Sequence, residues 1–131
     1  MKLIKYLKTK QMEATKESLL LTQNISNAIN NQTMPHHYHV LYDIAQTYPS
    51  EQHLNYVEIG CYAGGSACLM LQRPKTHVIS IDLGTPIPES IVRSNVERLN
   101  PNKNPFDYLQ GNSQTHQMVT RLKNIIPTVD I

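Results

Sequence analysis

The stretch NYVEIG, residues 55–60, is a short apolar run stopped by glycine, and HVISID, residues 77–82, repeats that pattern about twenty residues later. These read as parallel strands. Between them lies GGSACLMLQR, rich in small residues and good helix formers, and a third run, FDYLQG, begins at Phe106. Residues 88–99 and 113–124 give two more helical stretches. Strands alternating with helices imply right-handed crossovers, and so an α/β fold whose parallel sheet is covered by helices on both faces.

Ahead of the first strand the pattern is helical. Leu21, Ile25, Ala28 and Ile29 recur at three- and four-residue spacing, which predicts a helix near residues 13–30. The run NNQTMP breaks it, and Pro35 suits the first turn of a second helix that carries Val40, Leu41, Ile44 and Ala45 and ends at Tyr48-Pro49-Ser50. The chain therefore divides into an N-terminal helical extension, residues 1–50, and the α/β domain, residues 51–131. With 131 residues and 40% hydrophobic content, it can bury one real core. A net charge of +2, from 12 basic and 10 acidic residues spread along the chain, creates no field that favours nucleic acid or an anionic membrane. The basic start, MKLIKYLKTK, lacks the continuous apolar run of a signal peptide or membrane span. It reads as a solvated extension, with a short amphipathic turn lying on a membrane as the alternative. Two cysteines, Cys61 and Cys68, match neither a disulfide framework nor a paired-cysteine zinc site, which points to a reducing, cytoplasmic setting.

The chemistry concentrates in VEIGCYAGGSA, residues 57–67, which joins the first strand to its helix. Open α/β sheets bind ligands in such crevices at the carboxyl ends of strands. A dinucleotide site needs a second glycine two residues after the first, so that the backbone can approach a pyrophosphate, but Tyr62 stands there. The pattern is instead acid-x-Gly-x-x-x-Gly, made by Glu58, Gly60 and Gly64 and followed by Gly65 and Ser66. This resembles motif I of the class I S-adenosylmethionine-dependent methyltransferases, and so implies a Rossmann-like sheet. S-adenosylmethionine carries a sulfonium, an ammonium and a carboxylate on a short tail, with no phosphate to cradle. The resemblance implies that the glycines close around that tail, with Tyr62 in the same loop. The tail's carboxylate would meet N–H groups near Gly65 and Ser66, and Glu58 would supply negative charge near the cationic groups.

Two further matches follow in order. Asp82 ends the second strand, 22 residues after Gly60, where an acid in Rossmann-type folds accepts hydrogen bonds from ribose hydroxyls. After the third strand, Gly111, Asn112, Ser113 and Gln114 are similar to the Gly-polar-Ser turn that lines the adenine pocket of small-molecule O-methyltransferases. Taken singly, a glycine cluster is also a tight turn, and Asp82 is also a helix cap or loop acid.

Other candidates are weaker. His36, His37 and His39 form a cluster of a kind able to bind zinc or act as bases, but no acid or cysteine follows at ligand spacing; polar residues on an amphipathic helix are the favoured reading, with a substrate-side role the main competitor. Cys61 lacks an identifiable partner base, and its small size suits packing or cofactor contact. Met12, Met34, Met70 and Met118 read as core filling. Pro127 and TVDI look like the start of a fourth strand, which in the methyltransferase sheet lies beside the first. The run is similar to that of macrocin-type enzymes, where it leads into an Asp-rich turn that holds a metal or faces the transferred methyl. Ligands for a divalent metal would then lie beyond residue 131. The expectation is a truncated O-methyltransferase with a small-molecule acceptor and no assigned catalytic residue, itself inactive, marginally stable and prone to form homo-oligomers. The rivals are a nicotinamide-dependent oxidoreductase and a non-catalytic interaction domain that keeps the cofactor fold.

Overall fold

Three apolar runs become three strands pointing the same way: β1 (Leu54–Ile59), β2 (Thr76–Asp82) and β3 (Phe106–Gln110) form a parallel sheet in the order β1-β2-β3. Val57 lies opposite Ile79, and Ile81 opposite Leu109. The computed structural model describes residues 15–29 and 38–131. Its helices are α1 (Lys16–Ala28), α2 (Tyr38–Ala45), α3 (Gly65–Met70), α4 (Glu89–Arg98) and α5 (His116–Ile125).

Alternation along the strands sorts the core into two layers. Leu54, Tyr56, Val78 and Tyr108 face one side, where they pack with Ile25 and Ile29 of α1, Tyr42 and Ala45 of α2, most of α3, and Val92 and Val96 of α4. Ile79, Ile81 and Leu109 face the other side and meet Met118 and Leu122 of α5, with Val57 packed alongside. The fold is thus α/β and Rossmann-like, with helices on both faces. Leu54, Leu69, Met70 and Leu71 are fully buried; each such side chain contributes about 1.5–3 kcal/mol. Met70 and Met118 are core residues, as expected, while Met12 and Met34 lie outside the described residues. The described helices before β1, α1 and α2, share the core of the sheet.

Several boundaries move for local reasons. Thr15 caps α1 by accepting from the Ser18 N–H, which sets the first helical residue at Lys16. α2 ends at Ala45, ahead of Tyr48-Pro49-Ser50, because Thr47 and Tyr48 turn back onto the carbonyls of Ile44 and Ala45 at 3.0 and 3.2 Å. Its expected start at Pro35 lies outside the described residues. α5 begins at His116 rather than Ser113: Asn112 Oδ1 accepts from the Gln114 N–H at 2.9 Å, so residues 112–114 form a turn, and Thr115 then caps the helix through Met118 N–H. The expected fourth run does meet β1. Ile131 donates to the Asn55 carbonyl at 3.3 Å and accepts from the Val57 N–H at 3.0 Å, the two bonds of a parallel bridge on the edge of β1 away from β2. After β3 the chain therefore crosses the opposite face through α5 and returns beside β1. That reversal is a topological switch point, where α/β sheets leave a crevice for ligands.

Candidate functional site

At the carboxyl end of the sheet the strand exits are still stitched together. The Gly60 N–H donates to the Ile81 carbonyl at 2.8 Å, and the Gly111 N–H to the Asp82 carbonyl at 2.9 Å. Beyond these bonds the three connections part around a cleft of about 440 Å³, a size within the usual range for small-ligand sites. β1 contributes Ile59 and Gly60, β2 and its exit contribute Ile81, Asp82, Leu83 and Thr85, and the turn after β3 contributes Gly111, Asn112, Ser113 and Gln114. The glycine loop, the strand-end acid and the third turn thus meet at one place.

The loop over β1 has an unusual backbone. Gly60 takes φ +80°, and a Cβ built there would meet nothing within 4 Å, so the glycine leaves room for a close neighbour. The Gly64 N–H closes the turn onto the Cys61 carbonyl at 2.8 Å. At φ +92° a side chain on Gly64 would press on Val92 Cγ1 at 3.2 Å, so glycine is needed for packing as well. Tyr62 sits at φ +50°, a left-handed conformation that costs a non-glycine residue about 1–2 kcal/mol, and is half-exposed beside the cleft rather than lining it.

Asp82 is the hub of the site. Its Oδ2 accepts from the Cys61 N–H and its Oδ1 from the Gly84 N–H, both at 2.8 Å. Burial raises its pKa, but the backbone N–H groups of Gly84, Cys61 and Tyr62 outweigh burial and hold the carboxyl below its ordinary range. An ionised carboxylate has about four acceptor positions, so capacity remains for a ligand hydroxyl. The Tyr108 hydroxyl is buried, and burial together with the charge and hydrogen bonding of Asp82 pushes this phenol up to about 12.

Glu58 lies elsewhere. Its carboxylate is buried below the loop, where it accepts from the hydroxyls of Ser80 at 2.6 Å, Tyr56 at 3.2 Å and Ser66. Burial raises its pKa against the pull of these hydroxyls. Gly64, Gly65 and Ser66 are likewise buried at the start of α3 and do not line the cleft. Of the ten residues singled out from sequence, Gly60, Asp82, Gly111, Asn112 and Ser113 line it directly. The others shape the loop or stand beside it. Sequence reasoning missed the apolar contribution of Ile59, Ile81 and Leu83, which strand alternation alone would place in a core. Ile59 and Leu83 are instead 71% and 62% exposed.

Cys61 is buried, and burial raises its thiol well above the ordinary range, as does the charge of Glu58 and Asp82, which suits packing and not nucleophilic attack. His39 lies in α2, while His36 and His37 fall outside the described residues. Among the described residues no group of three or more His, Cys, Asp or Glu is placed to hold a metal, and no helix is long and apolar enough to cross a membrane. A second cavity of about 480 Å³ opens at the amino end of the sheet. Several of its polar groups are engaged within the protein: His77 with Asp107 and Lys75 with Glu51, both at 2.6 Å, and the Asn104 amide with the carbonyls of Leu71 and Arg73. Neither protein-family models nor curated proteins match the chain.

Proposed function

We propose that this chain binds S-adenosylmethionine in the cleft at the carboxyl end of its sheet, as the cofactor-binding part of a methyltransferase acting on an oxygen of a small molecule. The observation that carries the reading is the convergence of Gly60, Asp82 and the 111–113 turn, from three strand exits, on one cleft at a topological switch point. The residues present suit the group. Gly60 leaves space for a close approach, Asp82 offers spare acceptor positions to ribose hydroxyls, and Leu83 and Ile59 give apolar surface for a purine. When bound, S-adenosylmethionine supplies an electrophilic methyl group; the protein's part is to hold the donor in line with an acceptor. In this arrangement Glu58 is a strut beneath the loop.

A ring at position 62, where a dinucleotide site needs glycine, favours this cofactor over NAD. Calorimetry with S-adenosylhomocysteine and NAD separates the two: the first should bind measurably and the second should not. Tighter binding of NAD would overturn the assignment in favour of an oxidoreductase.

A further inference from the structure

We infer that Asn95 is a positioning residue for the glycine loop, and that Arg98 sets Asn95 and links it to the end of α1. The inference rests on the cofactor reading for its functional consequence, but its geometry stands on its own. Asn95 is buried on the inner side of α4, and its Nδ2 donates to the Ala63 carbonyl at 2.8 Å, in the middle of the loop. Ala63 is itself buried. Its carbonyl would otherwise be shut away from water, at a cost of about one lost hydrogen bond. The amide has one sensible orientation, because Arg98 Nη2 donates to Asn95 Oδ1 at 2.6 Å and so leaves Nδ2 facing the loop. Both guanidinium Nη atoms of Arg98 also reach the Ala28 carbonyl, at 3.3 and 3.2 Å. The last turn of α1 has no basic residue of its own, so Arg98 brings positive charge from α4 to the negative end of that helix.

The loop is thus pinned at three points. Asp82 holds the Cys61 N–H, Asn95 holds the Ala63 carbonyl, and Glu58 holds the Ser66 hydroxyl just past the loop. The middle pin connects to the helical layer before β1, through the bonds from Ala28 to Arg98 to Asn95 to Ala63. A loop whose glycines leave it locally free needs such pins to present a fixed surface. Loss of the Asn95 bond should loosen the loop while the sheet stays intact.

The test compares the wild type with Asn95→Asp, which keeps shape and the Arg98 contact but removes the donor, and with the exposed-site variant Arg98→Gln. Two readouts are taken: backbone amide NMR of the loop without ligand, and affinity for S-adenosylhomocysteine. Asn95→Asp should shift the Gly64 amide resonance, speed hydrogen exchange at Cys61 and Gly64, and weaken ligand binding by about fivefold. Arg98→Gln should do the same more weakly, with a small drop in melting temperature from the lost contact to α1, and the two effects on the loop should be less than additive because they act on one chain of bonds. Unchanged loop amides in a folded Asn95→Asp protein, or fully additive effects, would overturn the inference. Perturbed loop amides in a protein whose wild type binds no S-adenosylhomocysteine would leave the positioning role standing and sink the cofactor reading instead.

Discussion

Two carboxylates on adjacent strands, Glu58 on β1 and Asp82 on β2, show how environment divides one chemistry into two roles. Asp82 faces backbone N–H groups at the mouth of the cleft and is held ionised; Glu58 is sealed among hydroxyls and pushed toward its neutral form by burial. Their contributions to stability run in opposite directions with pH. A depressed acid such as Asp82 contributes stability that is full above about pH 3.9 and is lost as pH falls through its lower folded-state pKa. A raised acid such as Glu58 opposes folding when ionised, and that cost is relieved as pH falls through its folded-state pKa toward about 4.3. Replacing Glu58 by Gln should therefore flatten the gain in stability that the wild type shows as pH falls toward about 4.3. Glu58→Leu should cost roughly 2–4 kcal/mol, since it strands the buried hydroxyls of Ser66, Ser80 and Tyr56. Thermal melts across that pH range check both; a Gln variant that tracks the wild type would show that Glu58 does not titrate there. Sequence could name Glu58 and Asp82 as a pair worth watching, but spacing reports residue type and not the side on which a side chain emerges. On β1 the even-numbered residues turn inward, and Glu58 goes with Leu54 and Tyr56.

At the scale of elements, periodicity and breakers were enough to locate every strand and helix described, because each carries its signal locally. What they could not convey is which distant group completes an element. The N-terminus of α1 is an example: Thr15 caps it, but the buried Asp43 of α2 accepts from the Thr15 N–H at 3.0 Å, the Thr15 hydroxyl at 2.9 Å and the Ser18 hydroxyl at 3.0 Å. One side chain thus serves as a second cap and fastens two helices together. Asp43→Ala should lower stability by about 2 kcal/mol or more, with loss of helical signal as α1 frays. Asp43→Asn, which retains one acceptor, should fall between the two. Circular dichroism during thermal unfolding decides it, and equal stability of all three proteins would show that Thr15 caps α1 unaided. Arg73 belongs to the same class of silent residue. It is buried and donates to the carbonyls of Pro49, Gln52 and Pro74, so it holds the approach to β1 against the approach to β2. Nothing in its sequence neighbourhood marks it.

For the whole molecule the governing fact is that β1 lies between β2 and the returning segment, which puts the glycine loop over the centre of the sheet rather than at its margin. The second flank is made of few bonds. Besides the bridge at Ile131, the Asp130 N–H donates to the Asn55 carbonyl at 2.9 Å, Asp130 Oδ2 accepts from the Asn55 N–H at 2.8 Å, and the Asn55 amide reaches the Thr128 carbonyl at 3.0 Å. A strand with Val57 and Tyr56 on its faces and unpaired N–H groups along one side is a template for another chain, so these contacts shield it. Removing residues 128–131 should cost about 1–2 kcal/mol, a few degrees of melting temperature, and should increase self-association through the bared edge of β1. The cleft draws on β1, β2 and the turn after β3 but on none of residues 128–131. Binding of S-adenosylhomocysteine, measured at protein concentrations where the shortened chain is still monomeric, should therefore weaken less than stability does. Sedimentation, melting and calorimetry on the two proteins separate these effects. If the shortened chain melts and sediments like the parent, the segment is an appendage and not a strand of the sheet, and the switch point beside β1 loses its structural basis.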